Sequence, residues 1–212
     1  MDASFWHQKW ADNKIGFHNS DVNSLLVKYI GALALKEGDR VFVPLCGKTL
    51  DIGWLLAQGF RVAGAELSEV AIEQLFAELG LTPEKVNEGE VVHYSAENLD
   101  IYVGNIFDLS DEMLGDVDAV YDRAALVALP EQMRDRYTAH LLEITNKAPQ
   151  LLICFEYDQS LMAGPPHAIS RSEVHRHYED SYALELAESK TIKGGLKGQC
   201  PATKNVWLLR NR

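Results

Sequence analysis

Three features of this 212-residue sequence predict an α/β fold with a seven-stranded, mostly parallel sheet and an antiparallel last strand. Strand-like and helix-like segments alternate five times, the order that places helices on both faces of a parallel sheet. The strand-like segments include short unbroken apolar runs such as VFVPL (41–45), as expected where both faces of a strand are buried. The last two, YALELAES (182–189) and NVWLLR (205–210), are joined by about fifteen residues without a helix, which implies an antiparallel final pair.

The elements follow in order. Residues 4–33 are rich in Trp, Phe and His, and Val22 to about Ala34 reads as a helix that Asp21 or Ser20 could cap, with Gly31 weakening its end. KEGDR is a turn, and VFVPL is the first strand. Leu50 to Gln58 reads as a helix stopped by Gly59, and RVAGAEL (61–67) as the second strand. Ser68 is a good N-cap for a helix to about Leu79, closed by Gly80. A third strand lies within LDIYVGNIFDL (99–109) and a fourth is DAVYD (118–122). Pro130 to Asn146 reads as a helix, with Pro at its start where the missing N–H matters least. QLLICFEYD (150–158) is the fifth strand, residues 172–180 a short helix, and the final strand pair completes the sheet.

Length and composition suit one α/β domain with an ordinary buried core, at 47% apolar residues. The formal net charge is −11 with no basic run, which argues against phosphate-backbone binding and against docking on anionic membranes. The start, MDASFWHQKW, lacks the basic stretch and apolar run of a signal peptide, and no window approaches a membrane span. Cys46, Cys154 and Cys200 are odd in number and far apart, so a reducing cytoplasm is the expected setting. The seven histidines, His175 and His177 among them, form no HExxH or Cys/His cluster, and no metal is expected. An acidic chain with few apolar patches is expected to be a monomer.

In such folds ligands bind beyond the carboxyl ends of the strands. After strand one comes Pro44-Leu45-Cys46-Gly47-Lys48, where Gly47 permits close backbone approach or a positive φ. A dinucleotide fingerprint would need three glycines, so the turn either meets a ligand without a pyrophosphate or is a tight βα turn alone. Glu66 ends strand two, nineteen residues past Gly47, the spacing of an acid that accepts from ribose hydroxyls; the alternative is a helix-start acid, a place Glu69 already fills. Asn105 and Ile106 could bracket an adenine by edge and face, or form a plain turn. After strand four, Asp122 could cap the next helix, and the Arg123 fork suits a carboxylate or anionic substrate unless it is spent on a surface ion pair. A ligand with an adenosine but no pyrophosphate fits this set, and S-adenosylmethionine is one.

The blocks FWHQKWADNKIGFH, VPLCGKTLDIGWLLAQGFRVAGAELSE, VYDRAALVALPEQMRDRY and YDQSLMAGPPH, in this order from Phe5 to about His167, resemble the bacterial form of the thiopurine S-methyltransferase family. The resemblance implies the Rossmann-like, seven-stranded fold of class I S-adenosylmethionine-dependent methyltransferases. It implies one domain over 1–212, with residues 1–35 covering the site, and a small-molecule thiol as acceptor. S-adenosyl-L-methionine would be the cofactor and S-adenosyl-L-homocysteine the product. By similarity, Trp10 would meet the cofactor, and Phe17 and His18 the substrate. Leu45 and Gly47 would touch the cofactor, Glu66 would hold the ribose hydroxyls, and Asn105 and Ile106 would contact adenine. Arg123 would be the catalytic residue, facing both cofactor and substrate. Two departures bear on the acceptor: His167-Ala168 stand where the family has an aromatic and a small polar residue, and Lys193 or Lys197 would have to replace an arginine found in some members.

Methyl transfer to a thiolate is an in-line displacement that rests on placement. Aromatic thiols ionise readily, so a base is dispensable, though Asp122 and His18 are candidates. Trp6 and Trp54 are expected to serve packing. Three rival readings are a methyltransferase of selenium or tellurium oxyanions or another small acceptor such as a different small thiol, an NAD-binding oxidoreductase and a non-catalytic binding module. The missing glycines count against the second, and Glu66 with Arg123 against the third.

Overall fold

The computed structural model describes residues 3–16 and 18–212. Its sheet has nine strands in the order β3-β4-β5-β2-β1-β6-β7-β9-β8. These are β1 (Arg40–Pro44), β2 (Arg61–Glu66), β3 (Glu84–Glu88), β4 (Val91–Ala96), β5 (Leu99–Val103), β6 (Ala119–Arg123), β7 (Gln150–Tyr157), β8 (Tyr182–Thr191) and β9 (Ala202–Asn211). The five central strands, β5-β2-β1-β6-β7, are parallel, as alternation requires. Among the seven expected strands only β9 runs opposite to the other six, pairing antiparallel with both β7 and β8.

Two features go beyond the expected order. First, β3 and β4 form an antiparallel hairpin added beside β5, so the sheet is two strands wider than expected. The segment EKVNE has one apolar residue and lies almost wholly in solvent, so it carries no strand-like hydrophobic signal. Second, the order within the antiparallel final pair, which the sequence leaves open, places β9 between β7 and β8, with β8 at the edge. The β9 run from Asn205 to Leu209 is buried without a break, whereas β8 beyond Tyr182 is half-buried or exposed, and the more apolar strand takes the inner place.

Helices cover both faces. Helix α2 (Ser24–Tyr29) runs into a 3₁₀ turn (Ile30–Leu33), and with α3 (Leu50–Ala57) and α4 (Glu69–Leu79) it buries Leu26, Ile52, Leu55, Ile72 and Phe76 against one face. On the other face α5 (Asp111–Leu114), α6 (Glu131–Ile144) and α7 (Arg171–Tyr178) bury Leu114, Tyr137, Leu141, Val174 and Tyr178. Helix α1 (Ala3–Ala11) packs on α4. The expected caps hold at α4, where the Ser68 side chain accepts from Ala71 N and Gly80 closes the helix at φ 69°. At α2 the cap is Asn23, not Asp21 or Ser20: its Oδ1 accepts from Leu25 N at 2.9 Å.

Candidate functional site

At the carboxyl ends of the parallel strands lies one cavity of about 870 Å³. It gathers Trp10, His18, Leu45, Gly47, Glu66, Asn105, Ile106 and Arg123, but neither Asp122, a candidate base, nor Lys193. Phe17 lies outside the described residues.

The turn after β1 explains its single glycine. Leu45 and Gly47 both adopt left-handed backbone, at φ 47° and 53°. Cys46 N donates to Ala65 O at 2.9 Å, tying the turn to β2, and Gly47 N donates to Glu66 Oε2 at 2.8 Å. The Gly47 amide is therefore spent inside the protein rather than offered to a phosphate. A side chain at Gly47 would also meet the Trp10 ring, since a Cβ there would stand 2.9 Å from Cζ2. Trp10, only 4% exposed, thus rests on the turn and brings α1 to the cavity wall.

Glu66 is 6% exposed and is braced from both sides. Oε2 accepts from Gly47 N and Oε1 from Ser68 N at 2.9 Å. Burial raises its pKa, and the amides of Ser68, Gly47 and Leu67 oppose that rise by favouring the carboxylate. Each carboxylate oxygen has room for a second donor, so the braced group fits the two hydroxyls of a ribose. Asn105 caps a 3₁₀ turn (Ile106–Asp108), its Oδ1 accepting from Phe107 N at 3.2 Å, while Ile106 is buried and its carbonyl accepts from His140 Nε2 at 2.8 Å. Together they supply a polar edge and an apolar wall beyond β5.

Arg123 ends β6, half-buried on the cavity wall. It forms no ion pair or hydrogen bond with any described residue, so the surface-pair alternative does not hold. His18 lines the same cavity, and burial, with the Lys48 charge next, lowers its pKa, which favours the neutral imidazole. Asp122 is excluded as a base. Alternation along β6 turns it to the opposite face, where Oδ1 accepts from Leu126 N at 3.1 Å and Oδ2 from the Tyr137 hydroxyl at 2.8 Å.

The departures near the acceptor loop resolve unevenly. Gly164, Pro165 and Pro166 line the cavity, but His167 turns into a separate cleft beside Arg134 and Glu173, its amide donating to Val127 O at 2.6 Å. Lys193 is exposed and away from the cavity wall, whereas Lys197 reaches it and donates to Pro165 O at 2.8 Å. Trp6 lines the cavity, and Trp54 packs with the core under α3. The sequence reading missed Lys204, on β9, which also lines the cavity. Its signal was a charge two and four residues from Val206 and Leu208, on the same face of an apolar strand. Among the described residues no group of three His, Cys, Asp or Glu side chains is placed to hold a metal ion.

This arrangement, a doubly wound sheet with an acid at the end of its second strand and a ligand-sized cavity above it, is that of the class I S-adenosylmethionine-dependent methyltransferases. The fold matches 1,6-didemethyltoxoflavin-N1-methyltransferase of Burkholderia thailandensis, solved with S-adenosylhomocysteine, over 99% of this chain and 87% of that one, at a TM-score of 0.66 and 14% identity. Magnesium protoporphyrin IX methyltransferase of Synechocystis matches over 99% and 100%, at a TM-score of 0.65 and 13% identity. Sequence narrows the class. The thiopurine S-methyltransferase family matches residues 1–203. The thiopurine S-methyltransferase of Xanthobacter autotrophicus is 54% identical over 210 residues, 99% of each chain, and that of Teredinibacter turnerae 52% identical over 209 residues, 99% of this chain and 97% of the other. The chain belongs to the thiopurine S-methyltransferase family.

Proposed function

We propose that this chain transfers a methyl group from S-adenosylmethionine to the sulfur of a thiopurine or a similar heterocyclic thiol. The observation that carries the reading is the pairing, in one cavity, of a buried and doubly braced Glu66 with an Arg123 that has no partner among the described residues. Bound S-adenosylmethionine would supply an electrophilic methyl on a sulfonium and leave as S-adenosylhomocysteine. Glu66 would hold the ribose hydroxyls, Asn105 and Ile106 the adenine, and the Leu45–Gly47 turn would pass beside the amino-acid moiety under Trp10. Arg123 would stabilise the acceptor as a thiolate. Residues 1–35 would act as the cover of a single domain spanning 1–212, excluding water from the reacting atoms, with Phe17 and His18 toward the acceptor.

No described helix is long and apolar enough to cross a membrane. We assign the chain to the cytoplasm, where its three buried, unpaired cysteines would stay reduced, and take it to work as a monomer on small molecules.

Calorimetric titration of S-adenosylhomocysteine, followed by methylation of 6-mercaptopurine in the same sample, tests the reading. Glu66→Gln should weaken S-adenosylhomocysteine about 10–100-fold, the loss of a charged hydrogen-bond acceptor. Arg123→Ala should slow turnover at saturating cofactor. Failure of the wild type to bind S-adenosylhomocysteine would overturn the cofactor assignment, and binding without turnover would overturn the acceptor.

A further inference from the structure

Arg123 shares its wall of the cavity with a second cation. Lys204 reaches it from β9, and Phe155 of β7 lies between the two: Arg123 pairs in register with Ile153, and Phe155 with Lys204. The Lys204 ammonium stands 5.7 Å from the Phe155 ring centroid and forms no ion pair with a described residue. Burial lowers its pKa, and the Arg123 charge adds to that, as it would for two cations facing one space.

No carboxylate on the cavity wall neutralises the pair; off the wall, the Glu188 charge favours the Lys204 ammonium, but its Oε2 already accepts from Lys28 and from the Tyr29 hydroxyl at 2.8 Å. The two carboxylates that line the cavity are committed elsewhere. Glu66 accepts from two amides, and Asp51 accepts from Asn23 N at 2.8 Å and from the Tyr121 hydroxyl at 3.0 Å. Lys48 is paired with Glu78 at 2.6 Å and Lys197 is held by the Pro165 carbonyl, so neither competes. Arg136 also lines the cavity but stacks over Phe107, beyond β5, on the side assigned to adenine. In a chain of net charge −11, two uncompensated cations at one end of a cavity mark a place for negative charge.

We infer that Lys204 and Arg123 form a two-cation acceptor subsite, so that the preferred acceptor is an aromatic thiol bearing a ring carboxylate remote from its sulfur. The inference rests on the methyltransferase reading for which end of the acceptor meets the methyl. The thiolate would sit by Arg123, the ring against Phe155 and the proline pair Pro165-Pro166, and the carboxylate by Lys204. The carboxylate is a spectator. The sulfur lone pair forms the new carbon–sulfur bond as the donor's carbon–sulfonium bond breaks, and the acceptor falls from a dianion to a monoanion.

The test compares 4-mercaptobenzoate with 4-methylthiophenol, by kcat/KM, in the wild type and in Lys204→Met, Lys204→Gln and Lys204→Arg. In parallel, the methylated products 4-(methylthio)benzoate and 4-methylthioanisole are titrated into each S-adenosylhomocysteine-bound protein. The wild type should prefer the carboxylated member in both readouts, and Lys204→Met and Lys204→Gln should shrink that preference about tenfold, or 1.4 kcal/mol. Lys204→Arg should retain it. A wild type without the preference, or a preference that survives both neutral variants, overturns the inference. If neither thiol turns over, the proposed function fails, and the product titrations still decide the subsite.

Discussion

Asp122 and Arg123 are adjacent in sequence and belong to different parts of the molecule. Strand alternation puts Arg123 on the cavity wall and Asp122 in the core against α6, where Tyr137 and Leu126 N satisfy it. Burial is the main influence on Asp122 and raises its pKa from 3.8 to about 6, against the lowering effect of its hydrogen bonds. The sign of the linkage follows. Between those two values the folded state holds a proton that the unfolded state has lost, so stability falls as pH rises through the window and is lowest above it. At 1.36 kcal/mol per pKa unit, the fall from this group is on the order of 3 kcal/mol. Asp122→Asn removes the titration, so its stability should decline less steeply between pH 4 and 6 than that of the wild type. Urea midpoints at pH 4, 5, 6 and 7 measure it, and equal slopes would show that Asp122 does not titrate in this range. Glu66, also raised by burial, contributes with the same sign and is common to both proteins.

Elements were legible where burial and caps repeat a simple physical pattern. The five parallel strands are mostly buried along their length, and Ser68 with Gly80 brackets α4, so pattern and structure agree. The hairpin β3–β4 was not legible by hydrophobicity, because its outer strand is polar. Its better signal lay in the turns: two residues, Gly89 and Glu90, separate β3 from β4, and two more, Glu97 and Asn98 (the latter at φ 60°), separate β4 from β5. The site was legible at strand ends, because the doubly wound topology fixes where ligands go. Lys204 was not, since its role comes from β9 lying beside β7, a pairing between segments far apart in sequence. The turn after β1 offers a test of this level. Gly47→Ala must hold an L-residue at φ 53° and push its methyl into the Trp10 ring. A loss of about 1–3 kcal/mol is expected from strain and clash, together with weaker S-adenosylhomocysteine binding as Trp10 lifts from the turn. Unchanged Trp fluorescence and unchanged stability would show that the turn does not need its glycine.

At the scale of the whole molecule, the proposed monomer requires that a nine-stranded sheet with two edge strands resist pairing with a second copy. One edge, β3, exposes Glu84, Lys85 and Asn87, and Lys85 sits over the Tyr94 ring at 4.5 Å. The other, β8, ends in the exposed Ser189, Lys190 and Thr191. Charged, polar edges resist strand addition because pairing would bury them. The large exposed apolar residues Val27, Val70, Val86 and Leu161 lie on four different elements. Net charge adds a second, longer-ranged protection, but salt weakens only that one: the screening length falls from about 10 Å at 0.1 M to about 3 Å at 1 M. The two protections therefore separate by experiment. Sedimentation should give a monomer of 23.7 kDa in 0.1 M salt and again in 1 M, because edge polarity survives screening. A dimer that forms only at high salt would assign the monomer to charge repulsion alone, and a dimer at both would mean that an edge or helix face pairs despite its polarity.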